Sequence, residues 1–204
     1  MPTPNLQITI RNSQRQIDKL IGYRAASGDL EAKYQHFVAE MIMLRLFSIF
    51  EDTVAEIAFK IASGAVYLNE RQPILTAQAG SIAGARGLFL SHGRTKSIQN
   101  LKWTKSRYIK ESVQHVIAVT DPFINSAQRN GNIIDEMRKV RNYLAHNTTS
   151  AKEEFKSVIR LTYGANIRIT SGAFLSSTKR TPICNLDRYL SSTKVLLSDM
   201  ASGI

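Results

Sequence analysis

The sequence predicts an all-α helical bundle, on three observations. Its 204 residues include only five prolines, two of them at positions 2 and 4, and none falls between Asn5 and Gln72. Apolar residues recur at spacings of three and four, the period of a helix with one buried face. Hydrophobic residues make up 43% and charged residues 21%, which suits a folded chain that buries one sizeable core. One domain over 1–204 is the expected organisation.

Residues 5–24 read as a first helix, with Leu6, Ile10, Ile17 and Leu20/Ile21 inward. Ser27-Gly28-Asp29 breaks it, and Asp29 is the expected N-cap of a long helix from about Leu30 to Ala62. Its apolar positions are Phe37, Met41, Leu44, Phe47, Val54, Ile57 and Ile61, flanked by Val38, Ile42, Leu46, Ile49 and Phe50. A helix apolar over most of its circumference belongs at the centre of the fold. Ser63-Gly64 ends it. Residues 64–100 hold no period and read as a long connection with one short helix.

Ser106 to Val119 is helical again, stopping at Asp121-Pro122. Gly131-Asn132 opens the next helix over about 133–146, with Asp135 and Glu136 in its first turn. Ser150 and Glu153 form a capping box for a helix over 151–163. Alternation around Ser171-Gly172 predicts a small β-hairpin near 167–175. A last helix over 185–201 turns Leu186, Tyr189/Leu190, Leu196/Leu197 and Met200 inward. Residues 164–204 form a C-terminal extension to the bundle.

Charge narrows the partners. Lys plus Arg is 27 against 16 acids, a net charge of +11. Eight bases and no acid lie between Arg71 and Lys110, and five bases and no acid between Phe155 and Leu186. Two such tracts favour a surface for polyanions. Arg94, Lys96, Lys102, Lys105, Arg107 and Lys110 are the candidate RNA-binding cations. Trp103 and Tyr108 stand among them as candidate stacking residues, Trp103 being equally readable as a core aromatic. The longest uncharged run, Gln72 to Ala85, is fourteen residues, too short for a membrane span of ~20. Met1 to Gln14 has no apolar leader segment. A single cysteine, Cys184, permits no internal disulfide; it fits a cytoplasmic protein and reads as a small buried thiol.

Two other chemistries fail on spacing. Gly87 and Gly93 with Arg94-Thr95 are one residue too far apart for a phosphate loop and lack its lysine. His36, His92, His115 and His146 have no ligand-spaced partners, so no metal site is expected.

The helix over 133–146 stands apart. Wound at 100° per residue, Ile133, Met137, Val140 and Leu144 form an apolar stripe, with Asp135, Lys139, Asn142 and His146 opposite. Asn142 and His146 lie one turn apart and can address one ligand atom together. Arg141 lies between the two stripes. Histidine can take and give a proton near neutral pH, and arginine holds a phosphoryl oxygen by a planar fork as charge grows on it.

The string Val140-Arg141-Asn142-Tyr143-Leu144-Ala145-His146-Asn147 resembles the signature of the HEPN superfamily (higher eukaryotes and prokaryotes nucleotide-binding domains): Arg, four to six residues, then His, very often with Asn directly after the Arg. Here four residues separate Arg141 and His146. The resemblance covers about residues 30–163. It implies a HEPN-like bundle that forms a homodimer, two motif helices meeting across a basic cleft. It further implies a metal-independent, cofactor-free endoribonuclease of toxin or phage-defence type, with RNA as substrate and an antitoxin or other defence-system protein as a further partner. His146 would be general acid/base, Arg141 would hold phosphate, Asn142 would position them, and the RNA 2′-hydroxyl would attack. In the toxins silenced by a nucleotidyltransferase, a Tyr commonly lies two residues after the His; Thr148 stands there, which argues against that silencing. Two other functions fit the composition: a helical module that binds RNA or nucleotide without cutting, and a bundle whose basic face meets an acidic protein.

Overall fold

The computed structural model describes residues 4–146, 148–179 and 182–204. Asn5 opens α1 (Leu6–Ala26), its side-chain oxygen accepting from the N–H groups of Gln7 and Ile8. The chain then turns through residues 27–30. The Ser27 hydroxyl donates to the Arg24 carbonyl, and the Gln35 amide closes the turn by donating to the carbonyls of Gly28 and Leu30. Asp29 lies inside this turn and caps nothing; α2 (Ala32–Ala62) starts at Glu31 without a side-chain cap. At the other end Ala65 N–H reaches the Lys60 carbonyl and Gly64 N–H the Ile61 carbonyl, a Schellman ending that requires φ of +91° at Gly64.

Helix α2 is the centre of the bundle and packs against five other helices. Phe47, Phe50, Val54, Ile57 and Ile61 are completely buried on it. Phe37 and Met41, expected in the same stripe, are instead 59% and 43% exposed, because their face at this end of α2 is left uncovered by the later elements.

The connection carries one helix, α3 (Ile82–Ser91), capped by Ser81. Next, α4 (Ser106–Val113) stops six residues short of its expected end. Val116 and Ile117 are β-branched and wholly buried, and their backbone pairs with residues 74–77: Thr76 N–H donates to the Val116 carbonyl and Ala118 N–H to the Ile74 carbonyl. Asp121-Pro122 therefore begins a helix rather than ending one. Asp121 caps α5 (Pro122–Arg129), with proline at its first position. Asp121 is itself buried; it also accepts from Ile74 N–H and from the Tyr67 hydroxyl, tying the connection to α5.

Helix α6 (Gly131–Ala145) starts two residues before expected, so Asp135 and Glu136 lie beyond its first turn. Its buried stripe is Ile134, Met137 and Val140, with Ile133 and Leu144 only half-buried. Thr148, not Ser150, caps α7 (Thr149–Tyr163) by accepting from Ala151 N–H, and Glu153 pairs with Lys156 instead of closing a box.

No hairpin forms near 167–175. Residues Ser171–Ser176 are the short helix α8, capped by Thr170. The glycine that suggested a turn serves a close approach. A Cβ on Gly172 would come within 2.9 Å of the Cα and carbonyl oxygen of His36, so α8 lies directly on α2, where Ser171 donates to Glu40. The tail ends in α9 (Asn185–Ser202), with all six residues expected inward buried against α1, α2 and α5. Each of these nine helices, the ones among the described residues, contributes to one continuous apolar core.

Candidate functional site

Burial of Ile134, Met137 and Val140 fixes how α6 is rotated, and hence where its polar residues go. Arg138 is 6% exposed, although it is charged. It is tolerated there because two carboxylates meet it: Nη1 and Nη2 donate to the two oxygens of Glu154 on α7 at 3.0 and 2.9 Å, and Nε donates to Asp135 at 3.0 Å. The guanidinium holds the Glu154 carboxyl below the usual range. Burial pushes the Asp135 carboxyl up, but hydrogen bonds from Lys139 and Arg138 outweigh it and hold that group low as well. Glu136 points elsewhere and locks α6 to α9 through Arg188 and the Tyr189 hydroxyl.

One turn past this clasp, Asn142 and His146 open onto a cleft of about 440 Å³ between α4, α6 and the start of α7. His146 is the C-cap of α6; its N–H closes on the Asn142 carbonyl at 2.9 Å and the residue is exposed to solvent. Lys105 and Tyr108 form the opposite wall, and Arg138 and Glu154 lie among the other lining residues. Arg141 leaves the helix on another side. Its guanidinium stands over the Phe47 ring, 5.8 Å from the centroid, and 4.0 Å from Glu51 on α2. It returns toward the cleft only through Asn142, whose side-chain oxygen accepts from Nη1 at 3.3 Å. Burial pushes the Glu51 carboxyl up, against the opposing effect of Arg141. Asn147, the last residue of the motif string, lies outside the described residues.

The basic tract divides into three. Lys102 and Lys105 each hold an ammonium group near the Tyr108 ring, 5.4 and 5.6 Å from its centroid. Lys96, Lys102 and Arg107 are exposed, Arg107 in an i,i+4 pair with Glu111, and Lys110 is half-buried. Arg94 and Trp103 are turned to the fold. Arg94 donates to the backbone carbonyls of Phe89, Glu111 and Ser112, bracing the end of α3 against α4. Trp103 meets Phe59 edge-on at 5.9 Å and packs on the core.

Arg138, Glu154 and Glu51 are absent from the sequence-based set. Arg138 had a signal: with Asn142 and His146 it repeats every four residues along one helix face. Glu154 and Glu51 come from other helices and had none. Cys184 is buried at the start of α9, and burial pushes its thiol up. Among the described residues no group of three or more His, Cys, Asp or Glu is placed to hold a metal ion, and no helix is long and apolar enough to cross a membrane. Comparison of the chain with protein-family models, with curated proteins and with solved structures finds no match.

Proposed function

We propose that this chain is an endoribonuclease of HEPN type, cutting single-stranded RNA without a metal ion. The observation that carries the reading is the exposed His146 at the end of α6, opening with Asn142 onto a cleft whose far wall is Lys105 and Tyr108. A cation beside an aromatic face suits a nucleotide: phosphate on one, base on the other. The 2′-hydroxyl of the substrate attacks the adjacent phosphorus and loses its proton to a base. The bond from phosphorus to the 5′ oxygen breaks, and an acid protonates that oxygen. The products are a cyclic phosphate and a 5′-hydroxyl. His146 fills one of the two proton-transfer roles. Glu154 is a poor candidate for the other, because Arg138 occupies both its oxygens and weakens it as a base. The second role therefore falls to the motif of a second copy.

A homodimer is accordingly part of this proposal. A stripe of α2, exposed at one end and half-buried beyond it, supports it. Phe37 and Met41 begin a face that continues through Leu44 and Ser48 to Glu51, beside Arg141. A partner covering this stripe would lie against Arg141 and place it at the seam between the two copies. The proposed setting is a toxin or defence system in the cytoplasm, with an antitoxin or another defence protein as further partner.

One observation favours a second reading, an RNA-binding module that does not cut. In the protomer Arg141 does not line the His146 cleft. The deciding experiment measures cleavage of end-labelled RNA and its binding in parallel, for the wild type and His146→Ala. Cleavage that vanishes in the variant while binding stays supports the nuclease; tight binding with no cleavage by either protein supports the module.

A further inference from the structure

Tyr108 is a shared wall. On one side is the His146 cleft; on the other is a second cleft of about 420 Å³, lined by Ile98, Gln99, Asn100 and Lys102 together with residues of α4. The segment carrying Gln99 and Asn100 is irregular yet held at several points. Arg94 anchors its start to the ends of α3 and α4. Ile98 N–H donates to the Leu90 carbonyl, and at the far end the Ser112 hydroxyl accepts from Lys102 N–H and donates to the Lys102 carbonyl. In this braced segment the Gln99 and Asn100 carboxamides are exposed and bond to no described residue.

We infer that this second cleft is a base-recognition subsite for single-stranded RNA, with Gln99 and Asn100 as its specificity-determining residues. A carboxamide presents a donor and an acceptor in one plane, the pattern that pairs with a base edge. An exposed carboxamide on a floppy loop would pay for ordering on binding; here Arg94 and Ser112 have already ordered the backbone. Tyr108 offers a ring face for stacking, and Lys102 offers a cation at the mouth for the phosphate. A strand crossing Tyr108 would place one nucleotide here and the next phosphate at His146. The subsite rests on the reading of the chain as an RNA-binding protein, and its test does not depend on cleavage.

The test is fluorescence anisotropy with labelled A, C, G and U homopolymers of about eight nucleotides, bound to the full chain carrying His146→Ala so that the RNA stays whole. The four affinities should spread by at least about fivefold, and adding Gln99→Ala with Asn100→Ala should shrink the spread below about twofold. Tyr108→Ala should instead weaken all four by a similar factor, about tenfold. Both carboxamides are exposed, so the double variant keeps its fold, which circular dichroism checks. Equal affinity for all four polymers, or a spread that survives the double variant, overturns the subsite. Discrimination that is lost in the double variant upholds it even where the wild type cuts no RNA, a result that would sink the nuclease reading alone.

Discussion

Arg138 and Glu154 face each other in a two-bond clasp at 3.0 and 2.9 Å that joins α6 to α7 directly beside Asn142. The guanidinium is nearly buried and the carboxylate partly open, so the pair is both a strut and part of the cleft wall. Its consequences for stability follow from which partner is removed.

Glu154→Gln should destabilise the fold by about 1–3 kcal/mol, because a buried guanidinium loses charge-assisted bonds and keeps only Asp135. For a chain of this size that lowers Tm by roughly 2–12 °C. The pH dependence has a definite sign. Glu154 and Asp135 both titrate lower in the folded chain than in the unfolded one. Their contribution is complete at neutral pH and is lost as pH falls below about 4.5, through their folded values. Thermal melts between neutral pH and about pH 3 should show a weaker acid dependence in Glu154→Gln than in the wild type.

His146→Ala should lower RNA cleavage by about 10²–10⁴ while leaving the melting temperature unchanged, since the side chain is exposed at a helix end. Arg141→Ala should lose cleavage and part of the affinity. Arg141→Lys should recover little, because an ammonium cannot form the planar fork. Cleavage should persist in EDTA. Wild-type rates in His146→Ala would place the chemistry elsewhere.

RNA affinity should fall steeply with salt, each phosphate neutralised adding roughly 0.7 to the slope of log K against log salt for single strands. Lys102→Glu with Lys105→Glu should weaken binding to all sequences and flatten that slope. Arg94→Ala should act differently. It removes a brace between backbone carbonyls, so stability falls while the slope stays close to that of the wild type. Titrations at several salt concentrations separate the two effects.

Gly172→Ala should destabilise by about 1–3 kcal/mol, a large effect for one methyl group. The added carbon meets the His36 backbone, which cannot rotate away as a side chain would. Chemical denaturation of the variant measures this directly, and an unchanged midpoint would mean that α8 is not seated closely on α2.

Much of the secondary structure was legible in the sequence, and the reason is local. The long α2, its stop at Ser63-Gly64, and the inward face of α9 all follow from apolar spacing and terminal chemistry within one segment. The motif residues at the end of α6 were legible for the same reason, and so was the surplus of charge. What misled was information held by a neighbour. The end of α4 depends on backbone partners at residues 74–77, and α8 depends on His36 across a helix contact. The sequence by itself determined that Arg141, Asn142 and His146 share one helix end, because five residues of helix leave no other arrangement. Only the tertiary structure decided that Arg141 turns to α2 while Asn142 and His146 open onto the cleft with Lys105 and Tyr108. Which side of a helix is buried is settled by the elements packed against it. A guanidinium midway between two faces goes to whichever neighbour offers it a carboxylate and an aromatic ring, here Glu51 and Phe47.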